Sequence, residues 1–147
     1  MIIAIDGPAA TGKSTTAKAL AKRLGFTYLD TGAMYRAITL LILQKKVQIG
    51  ENFALISLLK KFDLKIQQHE KQILVILNGE DVSNEIRRLD VTKYVSEVSA
   101  LPAVRKSLVK IQRKIAKDQN CVVEGRDIGT IVFPDAEVKF YVVADYD

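Results

Sequence analysis

Three sets of residues in this chain have the types and spacing to do chemistry, and one of them organises the rest. Gly7-Pro8-Ala9-Ala10-Thr11-Gly12-Lys13-Ser14 reads G-x-x-x-x-G-K-[ST], with Thr15 next in line. Glycines at 7 and 12 allow a backbone path on which successive N–H groups face a single anion. Lys13 is then placed to reach the β- and γ-phosphates of a nucleoside triphosphate, and the Ser14 hydroxyl to coordinate Mg2+. The second set is Glu124-Gly125-Arg126-Asp127. A carboxylate that ends a strand beside such a loop serves the same ion, directly or through water. Arg126 and Asp127 follow at the carboxyl end of that strand, where open α/β sheets hold ligands. Arg36 is the third. An acceptor phosphate needs guanidinium groups, because each grips two oxygens in a fixed fork. The plainer alternatives are a surface Arg–Asp pair at 126–127 and a helix-surface charge at 36.

Each set needs an element to hold it. Residues 2–6, Ile-Ile-Ala-Ile-Asp, suit a short strand buried on both faces. Residues 14–24 are rich in Ala, Lys and Leu, and Gly25 is placed to cap the helix they form. Strand, glycine loop and helix are the context the motif requires. Residues 26–29 predict a second strand, ending at Asp30-Thr31-Gly32, where a short polar side chain caps the next helix. That helix carries Met34, Ala37, Ile38 and Leu41 on one face, with Tyr35 and Arg36 beside it. A further helix is expected over about residues 52–62. Residues 64–67 and 73–77 flank a polar turn at 68–72 and predict an antiparallel hairpin, with another turn at Asn78-Gly79. His69 falls in the first turn as a solvated side chain.

From Asp90 helical patterning returns, breaks near Pro102 and resumes with Val104, Leu108, Ile111 and Ile115 on one face. Lys106, Lys110, Arg113, Lys114 and Lys117 cover the rest of that helix as a solvated face. Residues 121–123 and 138–143 predict the third and fourth core strands. The expected fold class is α/β, a P-loop type parallel sheet flanked by helices. Residues 1–62 and 90–147 form its core, and 63–89 form a small antiparallel insert. In the sheet, the Glu124 strand is expected between the first two strands, with the first strand next to 138–143.

At 147 residues, 48% hydrophobic and 27% charged, the chain reads as one soluble domain. Its net charge of +5 suits nucleotides, and the basic residues are spread out, so no nucleic-acid partner is expected. Cys121 is the only cysteine, which excludes an intrachain disulfide; in an apolar run it reads as a small core residue. The longest apolar run, 37–43, is too short to span a bilayer, and a strand at the N-terminus leaves no room for a signal peptide. A cytoplasmic protein with no membrane partner is expected.

Four stretches together resemble the bacterial cytidylate kinases: Gly-Pro-Ala-Ala-Thr-Gly-Lys-Ser-Thr at 7–15, Leu-Asp-Thr-Gly-Ala-Met-Tyr-Arg at 29–36, Ser-Glu-Val-Ser-Ala-Leu-Pro-Ala-Val-Arg at 96–105 and Glu-Gly-Arg-Asp-Ile-Gly-Thr at 124–130. Many kinases share the first; the other three, in this order, are specific. The resemblance runs the length of the chain and makes 63–89 similar to that family's nucleoside-monophosphate-binding insert. It implies transfer of the γ-phosphoryl of ATP to CMP or dCMP, giving CDP or dCDP and ADP in pyrimidine metabolism, with Mg2+ accompanying ATP. Carried onto matching positions, it implies that Gly7, Pro8, Ala9, Ala10, Thr11, Gly12, Lys13, Ser14 and Thr15 hold ATP. It gives catalytic roles to Lys13, Arg36 and Arg126, and the metal to Ser14 with Glu124 behind it. CMP would meet Thr31, Tyr35, Arg36, Ser96, Arg105, Arg126 and Asp127. Arg36 and Arg126 would clamp its phosphate, Thr31, Arg105 and Asp127 would face cytosine, and Ser96 would lie near the ribose 2′-hydroxyl. Cytosine presents an amino donor beside ring N3 and O2 acceptors, and an Asp with an Arg complements that edge. A phosphate monoester is largely ionised at pH 7, its second pKa being about 6, so positioning and charge neutralisation matter more than a strong base. Glu124 stands where some relatives carry Asp, which changes reach and not charge.

The sequence departs from the family's pattern at its end. The family continues past the fourth strand into an arginine-rich lid, a fifth core strand and a final helix, whereas this sequence stops at Asp147. The expectation is either a shortened relative of the family or a fragment of one, in both cases a chain that self-associates through the edge of its last strand and turns over little. The alternative is a nucleotide-binding module without turnover. The guanine-reading Asn-Lys-x-Asp motif of a GTPase is missing, and kinases for shikimate or dephospho-coenzyme A account for neither 96–105 nor the insert.

Overall fold

Apolar runs and glycines divide this chain into short elements. The computed structural model describes residues 1–8, 11–69 and 72–143. In chain order the elements are β1 (Ile2–Asp6), α1 (Lys13–Leu24), β2 (Thr27–Asp30), α2 (Thr31–Gln44), α3 (Phe53–Leu59), β3 (Leu64–His69), β4 (Gln72–Leu77), β5 (Glu80–Asp81), a 3-10 turn (Glu85–Arg87), α4 (Leu89–Ser99), α5 (Pro102–Ala116), β6 (Cys121–Gly125), a π-helical turn (Ile128–Val132) and β7 (Val138–Tyr141). They fall into two units, Met1–Gly32 with Val109–Asp147, and Ala33–Leu108.

The first unit is built on a parallel sheet of order β2-β6-β1-β7. This is the order expected from the sequence. The apolar strands β1 and β6 take the interior, as strands covered on both faces must, and every residue of β6 is buried. At the edge, Phe140 and Tyr141 of β7 are exposed. The register sets Ile5 and Asp30 beside Glu124, and Asp6 between Gly125 and Tyr141. The polar residues that end three apolar strands therefore arrive at one edge of the sheet.

Helix α1 closes as its composition predicts. Gly25 adopts φ 70°, in the left-handed region a glycine enters without strain, and its N–H bonds back to the last turn. The Phe26 N–H bonds the Ala21 carbonyl at 2.9 Å. That bond commits Phe26 to the helix end, so β2 begins at Thr27, later than expected, and continues to Asp30. The expected strand 138–143 also shortens, to Val138–Tyr141, although the Val142 N–H still reaches the Asp6 carbonyl at 2.8 Å.

The second unit carries an antiparallel sheet of order β3-β4-β5. Its register runs from Leu64 opposite Leu77 to His69 opposite Gln72. The ladder thus extends into the polar stretch 68–72 that was expected to turn, because main-chain pairing is indifferent to side-chain polarity. Residues 70–71 lie outside the described residues. One face is covered, burying Leu64, Val75 and Leu77, while His69 stays exposed with its ring 3.1 Å from the Gln67 side chain. Helix α3 is shorter than expected. Asn52 caps it by accepting the Leu55 N–H at 2.9 Å, and the N–H groups of Lys60 and Lys61 tighten onto carbonyls three residues back. Along α5 the buried positions are Val104, Leu108, Gln112 and Ala116, whereas Ile111 and Ile115 are half-buried. The Gln112 carboxamide is buried with no partner among the described residues. No helix among the described residues is long and apolar enough to cross a membrane.

Candidate active site

The glycine loop leaves β1 at a crowded point. The Gly7 N–H donates to the Gly125 carbonyl at 3.3 Å, and a Cβ at position 7 would run into the Val142 carbonyl oxygen. Only a glycine fits there. Pro8 is exposed, and its carbonyl accepts the Thr11 hydroxyl at 2.9 Å. Ala9 and Ala10 lie outside the described residues. Gly12, at φ 78°, opens α1, and neither a capping side chain nor a first-turn acid occupies the helix N-terminus. That end keeps its partial positive charge and its outward N–H groups for an anion. Lys13 is half-buried, and Ser14 and Thr15 are exposed beside it.

Glu124 is 2% exposed, which a carboxylate tolerates only with partners. The Ser14 hydroxyl donates to Oε2 at 2.8 Å, the Tyr28 hydroxyl donates to Oε1, and the Thr31 hydroxyl donates to the main-chain carbonyl at 2.8 Å. Burial pushes the Glu124 carboxyl above its ordinary range, while the Ser14 hydrogen bond and the charges of Lys13 and Lys18 pull it back. Lys18 also lies 5.9 Å from the centre of the Tyr28 ring. Gly125 makes this packing possible, since a Cβ there would stand 2.5 Å from the Thr31 hydroxyl and 2.8 Å from Ile128. Ser14 and Glu124 offer hard oxygen atoms to a hard divalent cation. No cluster of three His, Cys, Asp or Glu side chains occurs among the described residues. Two such oxygens fit a cation that keeps waters and takes substrate phosphates rather than a full protein cage.

Beyond Glu124 the chain is held by Asp6. Its two carboxylate oxygens accept the N–H groups of Ile128 and Gly129, each at 2.8 Å. Arg126 is exposed, and Asp127 is half-buried with its carbonyl accepting from Ile131 and Val132. Arg113 is exposed, as expected of its face, and also donates to the carbonyls of Val132 and Ile131, both at 3.0 Å, because a guanidinium can serve two carbonyls at once.

Thr31, Arg126 and Asp127 belong to the same unit as the glycine loop, whereas Tyr35, Arg36, Ser96 and Arg105 belong to the other. In that second unit the Arg36 guanidinium donates to the Ile86 carbonyl at 3.2 Å and the Thr92 hydroxyl at 3.0 Å, both uncharged. Tyr35 and Arg105 are half-buried, and Ser96 is exposed. The sequence reading missed Asp6 and Tyr28. A signal for Asp6 was present: it is the one charged residue in an apolar strand.

A model of the cytidylate kinase family matches residues 3–147. The chain belongs to the cytidylate kinase family. It is 52% identical to a cytidylate kinase of Caldanaerobacter subterraneus subsp. tengcongensis, over 99% of this chain and 63% of that protein. It is 53% identical to one of a Geobacillus species and 52% identical to one of Streptococcus gordonii, over 99% of this chain and 65% of each relative. The chain thus spans 63–65% of the length of these curated relatives. Membership of the cytidylate kinase family accords with a parallel sheet whose carboxyl edge carries a glycine loop, a buried carboxylate and an Arg-Asp pair.

Proposed function

We propose that this protein is a nucleoside monophosphate kinase that transfers the γ-phosphoryl group of ATP to CMP or dCMP, with Mg2+ as the metal and the cytoplasm as its location. The observation that carries the reading is the 2.8 Å bond from Ser14 to the buried Glu124. It joins the first turn of the glycine-loop helix to the end of the neighbouring strand, where a metal–triphosphate complex needs its oxygen ligands. The naming of the relatives as cytidylate kinases supports the choice of acceptor.

In this reading the glycine loop and the α1 N-terminus hold the triphosphate, and Lys13 neutralises charge on its outer oxygens. Ser14 and Glu124 would hold Mg2+, which when bound supplies further neutralisation of the phosphate oxygens. Arg36 and Arg126 take the acceptor phosphate, Asp127 and Arg105 read cytosine, and Thr31, Tyr35 and Ser96 complete the acceptor contacts. An acceptor phosphate oxygen bonds to the γ-phosphorus as its bond to the bridging oxygen breaks, and ADP leaves. No general base is required, because the acceptor is already ionised near neutral pH.

Coupled measurement of ADP release with CMP, dCMP, UMP and AMP tests the proposal. Release driven by CMP and dCMP well above UMP and AMP is expected. Equal release with every acceptor, or none from any acceptor while ATP is still bound, would overturn it for this chain.

A further inference from the structure

Arg126 and Asp127 form a two-residue arch pinned at both ends. On one side the Gly125 carbonyl accepts the Gly7 N–H at 3.3 Å. On the other, Asp6 Oδ1 accepts the Ile128 N–H and Oδ2 the Gly129 N–H, both at 2.8 Å. These two N–H groups open the turn Ile128–Val132, so no carbonyl of the turn itself can serve them. Asp6, 7% exposed, serves them from another strand. A carboxylate removed from water needs charge-assisted bonds in return, and two consecutive amides, one on each oxygen, provide them. The approach is close on that side: a Cβ at Gly129 would lie 3.4 Å from Asp6 Oδ2 and 3.1 Å from the Lys139 side chain. Both pins come from adjacent residues, Asp6 and Gly7, where β1 feeds the glycine loop.

We propose that Asp6 is a positioning residue for the acceptor nucleotide: its carboxylate fixes the far end of the arch and thereby aims Arg126 and Asp127. This rests on the reading of Arg126 and Asp127 as acceptor-binding groups. Asp6 itself touches neither nucleotide; it acts through the backbone of the arch.

The test is calorimetric titration of CMP and, separately, of ATP into the 147-residue chain, its Asp6→Asn variant and its Arg126→Ala variant. Asparagine keeps the shape of Asp6 but turns one acceptor into a donor facing an N–H, so one bond is lost. Asp6→Asn is expected to weaken CMP about tenfold, the size of one charged hydrogen bond, and to change ATP affinity less than about twofold. Amide exchange by NMR is the second readout. The Ile128 and Gly129 amides should exchange slowly in the wild type, more slowly still with saturating CMP, and faster in Asp6→Asn while β1 and β6 keep their protection. Unchanged CMP affinity in Asp6→Asn would overturn the proposal, as would an equal loss of ATP, which would mark Asp6 as general support for β1. If Asp6→Asn does not fold, the wild-type exchange decides, and failure of CMP to slow Ile128 and Gly129 overturns it. Unchanged CMP affinity in Arg126→Ala would instead overturn the acceptor reading, independently of what Asp6 pins.

Discussion

In the parallel sheet, side-chain hydrogen bonds join residues 93 to 123 positions apart: Ser14, Tyr28 and Thr31 to Glu124, and Asp6 to Ile128 and Gly129. Along the strands and turns of the antiparallel sheet, those of the described residues stay local. Gln67 with His69 and Asp81 with Ser83 are two positions apart, and the Asp63 N–H reaches Asn78 only 15 away. The contrast follows from connection geometry. Parallel neighbours need a long crossover, so residues at one edge of such a sheet come from remote parts of the chain. A hairpin pairs what its turn brings together. Burial differs in the same way, since β6 is covered throughout while β3 is mostly exposed. The region that unites remote polar groups in a buried setting is the one suited to chemistry, because charges there are screened least.

The contrast can be broken most severely at Lys13. Lys13→Ala should lower turnover by about a thousandfold, the upper range for removing one preorganised charge from a transition state, with circular dichroism unchanged. Near-normal turnover of the folded variant would remove the chemistry from the parallel sheet. The next largest effect concerns packing. Leu29, fully buried in β2, should cost about 3 kcal/mol when changed to Ala, and half-buried Ile66 of β3 about 1 kcal/mol. Urea unfolding of both variants measures this, and equal losses would mean the two sheets are equally well packed.

A smaller effect depends on pH. Because burial raises the Glu124 carboxyl, the folded state binds that proton more tightly than the unfolded chain. Its contribution to stability is complete below the unfolded value of about 4.3 and is lost as pH rises through the folded value. Glu124→Gln should therefore gain on the wild type as pH climbs from 4 to 7, measured by urea unfolding without nucleotide or metal. The exposed carboxyls of Asp81, Asp90 and Glu137, held low by their hydrogen bonds, titrate alike in both proteins and cancel. A difference that stays flat with pH would show the hydroxyls of Ser14 and Tyr28 offsetting burial in full. The smallest effect is expected at the exposed Arg88–Asp90 pair of the second unit, where Arg88→Ala should leave the melting temperature unmoved, since water and salt screen the pair. A clear drop there would mean that local pairs also stabilise this region.

Much of the fold was legible because its signals are short-range. The glycine loop, α1 with its Gly25 cap, the hairpin and its Asn78-Gly79 turn each depend on neighbours in sequence. Sheet order was legible as well, since unbroken apolar runs mark interior strands. The misses are of two kinds. Strand 26–29 began late because Phe26 was taken by a helix-closing bond, and α3 ended early where its last turn tightened. Arg113 is exposed as read, but its two carbonyl bonds were not foreseen, because helical spacing reveals a face and not the carbonyls that face meets.

The sequence by itself determined which groups are available: two glycines flanking a short loop, a lysine and a hydroxyl beside it, and a carboxylate and an arginine at the end of an apolar strand. Tertiary structure alone decided how they are held. Tyr28 on Glu124, Thr31 against Gly125, and Asp6 beneath the arch follow from strand register, with Asp6 opposite Gly125 and Asp30 opposite Glu124. Register between parallel strands is set by the packing of the segments that connect them, and no local run of residues encodes it.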